Sequence, residues 1–212
     1  MKIAIVTGAS SGMGREFVYA LDREGKYAEI WVIARRADRL ESLKTECKTA
    51  IRPIALDLGK AESFDAYRTL LETEKPDVSV LVNCAGFGKF GTYAEIPTEV
   101  ACEMIDLNCK ALVRMTEYTL PYMQAGAHIV ELDSLSSFQP VPYIGVYGAT
   151  KAFVLSYSRA LNVELRPRGI KVMAVCPGWV RTDFFDRAKT DCTNAVTYFN
   201  KMYEAKDVVA TA

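Results

Sequence analysis

Tyr147 and Lys151 stand four residues apart in VYGATKAFVLSYSRALNVEL, a stretch with a long helical pattern. That spacing stacks the two side chains on one helix face. A phenol ordinarily titrates at about 10, too high for an efficient proton shuttle at neutral pH. A neighbouring ammonium favours the phenolate, so the pair is expected to lower the Tyr147 pKa. Its chemistry would be proton donation to an oxygen, or abstraction from one. Ser134 lies just past a strand-like run, where its hydroxyl can hydrogen-bond the same oxygen and stabilise developing charge. A YxxxK spacing arises often by chance, so its weight comes from what surrounds it.

A second constellation opens the chain. The apolar run Lys2–Thr7 empties into Thr7-Gly8-Ala9-Ser10-Ser11-Gly12-Met13-Gly14, and a helical pattern follows. Glycines are needed where a turn demands positive φ, where backbone must approach a pyrophosphate, and where helix packs on strand. The free N–H groups of the helix start then receive the phosphates. The spacing is GxxxGxG without a following GK[ST], which argues against a nucleotide-hydrolysing P-loop. About 20 residues beyond the glycines an acidic residue would bind a ribose diol and select NAD. Here that place reads Ile33-Ala34-Arg35-Arg36, and two guanidinium groups suit a 2′-phosphate instead. NADP(H) is therefore favoured, with NAD(H) as the alternative. Asp38 is expected in the first turn of the next helix.

Positioning these groups requires a frame, and the hydropathy pattern supplies one. Lys2–Thr7, Glu29–Ala34, Ile51–Asp57, Val78–Asn83, Ala127–Asp133 and Ile170–Cys176 are nearly continuous apolar runs, as expected of strands covered on both faces. Helical patterns lie between them near 12–24, 37–46, 60–74, 98–123 and 146–165. Such alternation implies right-handed crossovers and an α/β fold, a Rossmann-type doubly wound parallel sheet in three αβα layers. With 212 residues, half of them hydrophobic, a single domain over 1–212 is expected. Lys+Arg and Asp+Glu both total 26, a balance that argues against nucleic-acid or membrane-surface binding. No run of 18 apolar residues occurs, and MKIAIVTGAS reaches its glycine too early for a signal-peptide core. Six scattered cysteines (Cys47, Cys84, Cys102, Cys109, Cys176, Cys192) form no CxxC pair, and His128 is the single histidine, so no metal site is expected. Free thiols fit a reducing cytoplasm.

Together these motifs resemble the short-chain dehydrogenase/reductase family over essentially the whole chain. TGASSGMG (7–14) matches the family's cofactor turn, and Asp57 in ALDL, with Leu58, its contact to the adenine amino group. NCAG (83–86) is similar to the family's NNAG, placing Asn83, Ala85 and Gly86 along the cofactor. Asn108 falls where the family has a helix-bending Asn whose carbonyl holds a water in the proton path to Lys151. Ser134, 13 residues before Tyr147, matches the catalytic serine, and YGATK (147–151) matches YxxxK. PGWVRTDF (177–184) matches the PGxVxT segment beside the nicotinamide, which implicates Pro177, Gly178, Val180 and Thr182. The resemblance implies hydride transfer between NADP(H) and a carbonyl or alcohol, with Tyr147 as acid/base and Ser134 orienting substrate. Lys151 would tune Tyr147 and bind the nicotinamide ribose. Departures are Asp133 in place of a small residue, Cys84 in place of Asn, and an expected absence of the family's last edge strand.

The resemblance also places residues 179–204 in a substrate lid. There Trp179, Phe184 and Phe185 offer apolar surface for an uncharged or partly apolar substrate. Tyr203–Ala212 reads as the start of a helix without a cap, the pattern of a truncated chain. The 146–165 helix is apolar on nearly every face, so with the 98–123 helix it is expected to pack against a second copy in a homodimer or homotetramer. A dinucleotide sensor that kept the fold and lost the chemistry is the alternative function. A structural subunit of a larger complex is a third reading. Presence of both Tyr147 and Lys151 speaks for the enzyme.

Overall fold

A strand that is apolar on both faces must be covered on both sides, and the six runs are. The computed structural model describes residues 2–188 and 201–212. Strands β1 (Lys2–Thr7), β2 (Glu29–Ala34), β3 (Ala50–Ala55), β4 (Asp77–Asn83), β5 (His128–Leu132) and β6 (Lys171–Val175) form one parallel sheet. Its order is β3-β2-β1-β4-β5-β6. In register, Val6 pairs with Val32 on one side and Val82 on the other, and Val82 pairs with Val130. Pro53, which has no N–H to give, sits in the edge strand β3.

Helices α1 (Gly12–Glu24), α2 (Ala37–Glu41), α3 (Leu43–Glu46), α4 (Glu62–Glu74), α5 (Thr98–Ile105), α6 (Leu112–Thr119) and α7 (Gly145–Glu164) make the crossovers. Beyond β6 come β7 (Val180–Arg181), α8 (Phe184–Ala188), β8 (Tyr203–Glu204) and α9 (Ala205–Val209). One apolar cluster joins the sheet to α4, α6 and α7 through Phe64, Tyr67, Leu71, Met115 and Leu161. The other joins it to α1, α2, α3 and α9 through Phe17, Val18, Leu21, Leu40, Leu43 and Val209. These are the two outer layers of the expected αβα arrangement. Among the described residues no helix is long and apolar enough to cross a membrane, and no cluster of metal-ligating side chains occurs.

Two helical expectations need correction. The 37–46 pattern is two short helices meeting at Ser42, whose hydroxyl donates to the Arg39 carbonyl and competes with the helical ladder. The 98–123 pattern is not one helix either. A π turn, Asp106–Ala111, separates α5 from α6, and a 3-10 turn at Leu120–Tyr122 closes the stretch where Pro121 cannot continue it. The tail expected as a helix start is β8 and α9, with β8 paired to β7.

A polar network lies within the core where β4, β5 and α6 meet. Glu131, wholly buried, accepts at Oε1 from the Thr116 hydroxyl at 2.9 Å and from Asn83 Nδ2 at 3.3 Å. Its Oε2 and the Asn83 Oδ1 have no hydrogen-bond partner. Both are acceptors when Glu131 is ionised, so a protonated carboxyl fits the site better. Burial pushes the Glu131 pKa from the ordinary 4.5 up to about 7, against the pull of Thr116, Asn83 and Lys151. Because the folded value is the higher one, this group's stabilisation is complete below pH 4.5 and is lost as pH rises through 7. The shift corresponds to a loss on the order of 3 kcal/mol. Glu131→Gln keeps the neutral shape and adds a donor. Its melting temperature should match the wild type at pH 5 and exceed it at pH 8. A wild-type-to-variant difference that stays constant over that range would rule out this titration.

Candidate functional site

The carboxyl ends of the parallel strands face one side, and the sheet order reverses between β1's neighbours β2 and β4. Open α/β sheets bind ligands at such a point. A cavity of about 510 Å³ lies there, within the size range of cofactor and ligand sites.

Its first wall is the glycine turn. Gly8 and Gly12 have φ of 67° and 55°, in the region that favours glycine. A Cβ on Gly8 would meet the Cys84 carbonyl oxygen at 2.8 Å, and one on Gly14 would run into the Gly8 carbonyl. The turn is thus pressed against the end of β4 and against itself. Thr7 fastens it by accepting from the Cys84 and Ala85 N–H groups at 3.0 and 3.1 Å. Ser11, extended at the start of α1, makes no side-chain cap, so the first N–H groups of that helix face the cavity uncapped. Ser10, Met13 and Gly14 line the same wall. This cradle, with glycines at 8, 12 and 14 and free donors at the helix start, fits a dinucleotide pyrophosphate.

The adjoining wall is basic. Arg35 and Arg36 both line the cavity, with Asp57 and Leu58 beside them. Arg36 donates to the Ser10 hydroxyl at 3.0 Å and to the Ser11 hydroxyl at 2.8 Å, so it is tied to the glycine turn. Asp38 sits in the first turn of α2, as expected. Asp183 was not singled out from the sequence, yet its carboxylate pairs with Arg39 at 2.9 Å and faces Arg36 at 3.8 Å.

The third wall carries the tyrosine, lysine and serine singled out from the sequence. Tyr147, Lys151 and Ser134 meet at the cavity, with Asp133, Pro177, Gly178, Val180 and Thr182 around them. Lys151 is buried and donates to the Leu132 carbonyl at 2.6 Å, with its ammonium 5.8 Å from the centre of the Tyr147 ring. The expected fall of the Tyr147 pKa is not what this geometry gives. Burial pushes the phenol up to about 12; a hydrogen bond with Ser134 opposes the rise and the Asp133 charge adds to it. The lysine's own pKa is lowered, first by burial, with Asp133 foremost among the charges that resist. Asp133 is itself buried, accepts from the Cys176 thiol at 3.4 Å and has an unpartnered Oδ1. Burial raises its pKa while Lys151 pulls it down.

Asn83 and Asn108 stand behind the cavity rather than in it. Asn83 belongs to the Glu131 network. Asn108 lies in the π turn, fully buried; its amide accepts from the Phe87 N–H at 3.0 Å and donates to the Phe87 carbonyl at 2.9 Å. It also donates to the Thr150 hydroxyl at 3.0 Å, so one side chain ties the strand exit after β4 to α7. Ala85 and Gly86 line the cavity, and a Cβ on Gly86 would strike the Asn108 side chain at 2.9 Å.

Aromatic rings close the far end. Phe184 lies 5.5 Å from Tyr147 between ring centres, Trp179 packs edge-on to Phe90 at 5.9 Å, and Phe185 joins them. Gly88 leaves the room: a Cβ there would meet both Phe184 and Tyr147 within 3 Å. Phe90 and Ile144 were missed from the sequence, because apolar residues after a motif carry no signal of what they will face. Residues 189–200 of the expected lid, Cys192 among them, lie outside the described residues.

Comparison with known proteins agrees with this layout. The family profile described as short chain dehydrogenase matches residues 2–193. An uncharacterized oxidoreductase of Staphylococcus epidermidis is 32% identical over 208 residues, covering 93% of this chain and 90% of that protein. Glycine betaine reductase of Emericella nidulans is 35% identical over 187 residues, 86% of this chain but 15% of that protein. A short-chain dehydrogenase from Sphingobium yanoikuyae in complex with NADPH superposes with a TM-score of 0.87 at 31% identity, covering 99% of this chain and 82% of that one. The closed form of serine dehydrogenase complexed with NADP+ gives 0.85 at 30% identity, covering 99% and 86%. By profile, identity and fold, this chain belongs to the short chain dehydrogenase family of oxidoreductases.

Proposed function

We propose that the protein transfers a hydride between NADP(H) and a carbonyl/alcohol substrate, with Tyr147 as the proton donor and acceptor. One observation carries this reading: Tyr147, Ser134 and Lys151 open onto the same cavity as the glycine cradle and the Arg35–Arg36 pair. Relatives solved with NADPH and NADP+ support the choice of dinucleotide. NAD(H) stays the alternative.

The bound dinucleotide supplies or accepts the hydride. The uncapped start of α1 and the glycine turn would hold its pyrophosphate. Arg35 and Arg36 would take a 2′-phosphate, and Asp57 with Leu58 the adenine. Lys151 would hold the nicotinamide ribose. Ser134 orients the substrate oxygen and shares the charge that gathers on it. Tyr147, held neutral at physiological pH by burial, gives its proton to that oxygen in the reductive direction. Asn108, through Phe87 and Thr150, fixes the distance between β4's exit and α7. Trp179, Phe184 and their aromatic neighbours exclude water around Tyr147, which favours an uncharged or partly apolar substrate. Residues 179–188, the described start of the 179–204 segment, would serve as a lid over it, within a single domain.

Assembly follows from a separate observation. On α7, Phe153 and Val163 are 43% and 55% exposed, and Ile105 at the end of α5 is 44% exposed. Apolar side chains grouped on neighbouring helices call for a cover. A second copy of the chain packed across α5 and α7 supplies it.

Three outcomes test these assignments. Tyr147→Phe should bind NADPH within about twofold of wild type yet lose at least about 100-fold in NADPH consumption over a panel of ketones and aldehydes. Unchanged turnover in that variant would refute the role of Tyr147, and a chain that binds NADPH without consuming it on any carbonyl would favour a sensor. Replacing Arg35 and Arg36 together by alanine should weaken NADPH about tenfold or more and NADH far less; equal losses would remove the phosphate assignment. Light scattering at micromolar concentration should show a dimer or tetramer that Phe153→Asp dissociates. A wild-type monomer ends the assembly proposal.

A further inference from the structure

Arg35, Arg36 and Arg187 line the cofactor cavity, and only Arg36 is compensated. Arg36 and Arg39 share the carboxylate of Asp183, and Arg36 also donates to the turn serines. Arg35 and Arg187 have neither a hydrogen bond nor an ion pair among the described residues, yet both line the cavity. They come from distant parts of the chain, Arg35 from the end of β2 and Arg187 from α8.

Arg187 is held in place by an aromatic ring. Its guanidinium carbon lies 3.6 Å from the centre of the Phe87 ring, and Phe87 directly follows the NCAG segment. Such a stack fixes the plane of the fork while leaving its N–H groups free for a ligand. The group is partly buried and feels Arg35 as a like charge; burial and that repulsion both depress its pKa, against the weaker pull of Glu103 and Asp57. Asp57 already accepts the Gly59 N–H at 3.1 Å. Two unpaired guanidiniums aimed at one half-enclosed space are mutually unfavourable until an anion sits between them. Of the three charges that act on Arg187, Arg35 and Asp57 line the wall that would receive the adenosine end of a dinucleotide, and Glu103 is the third. These cavity-wall neighbours point to the dinucleotide as its target.

We propose that Arg187 is a phosphate-binding residue of the cofactor site, carried by α8 and oriented by Phe87. It supplies, from the side facing the glycine turn, a full positive charge that the turn's neutral N–H groups lack. The inference rests on the dinucleotide reading above.

Titrations of NADPH and NADH followed by nicotinamide fluorescence, at several salt concentrations, test it. Arg187→Gln should weaken NADPH about tenfold, with a shallower dependence of affinity on salt than wild type. Arg187→Lys should recover part of the loss, because it keeps the charge and loses the fork. Phe87→Leu should give a smaller loss with an unchanged salt dependence. A loss confined to NADPH assigns the contact to the 2′-phosphate, and a loss shared with NADH assigns it to the pyrophosphate; either upholds the proposal. Unaltered affinity and salt dependence for both dinucleotides in Arg187→Gln overturns it, as does an Arg187→Lys that binds no better than Arg187→Gln. Wild-type protein that binds NADPH and NADH equally would cancel the NADP preference alone, and Arg187 would still be judged on its salt dependence. Wild-type protein that binds neither would end both readings.

Discussion

A lysine ammonium taken out of water is the constraint around which the site is built. Burial of a charge costs several kcal/mol unless the surroundings return it. Lys151 receives a backbone carbonyl at 2.6 Å from Leu132, the last residue of β5, and the nearby carboxylate of Asp133. Both partners sit at the carboxyl end of one strand, so α7 must cross that strand end at a fixed height. Once α7 is set by its lysine, Tyr147 one turn earlier is set too, and it lands beside Ser134.

The opposite half of the site depends on close backbone approach instead of charge. Thr7 joins β1 to the exit of β4, and Gly8 tolerates the Cys84 carbonyl only because it has no Cβ. The cofactor turn and the NCAG segment are therefore one mechanical unit. Asn108 couples this unit to the lysine half. Its amide closes a two-way hydrogen-bond pair with Phe87 and reaches Thr150, the residue before Lys151. The π turn that carries it is what the helix gives up to put a polar side chain at that depth. A regular helix through 106–111 would present a different residue there.

Much of this was legible in the residues. Apolar runs such as KIAIVT and EIWVIA define β1 and β2 to the residue, because buried parallel strands leave no polar alternative at either end. The glycine turn was readable because only glycine meets its steric demand. Burial inside an apolar run was the harder signal. Glu131 in HIVEL interrupts such a run, and a carboxylate at that place could have marked the network beneath the sheet; it was read as part of a strand. Distant pairing was invisible. Asp183 meets Arg39 across 144 residues of sequence, and Arg187 meets Phe87 across a hundred, so no local period encodes either contact. The π turn was not read from the apolar period; the resemblance alone marked it, by a helix-bending Asn at position 108.

The same limit explains the one electrostatic expectation that failed. Spacing alone places an ammonium near a phenol, and from that a lowered phenol pKa follows. Spacing says nothing of Asp133, whose negative charge offsets Lys151 and acts on Tyr147 in the opposite sense. Nor does it say that the ring is enclosed by Phe184 and its neighbours, which strip the water that would solvate a phenolate. The carboxylate thus acts on both groups in one direction, toward the protonated form. It helps the buried lysine stay protonated, and it helps the tyrosine stay neutral. In this chain the carboxylate at position 133 and the neutral form of Tyr147 are therefore parts of the same electrostatic arrangement.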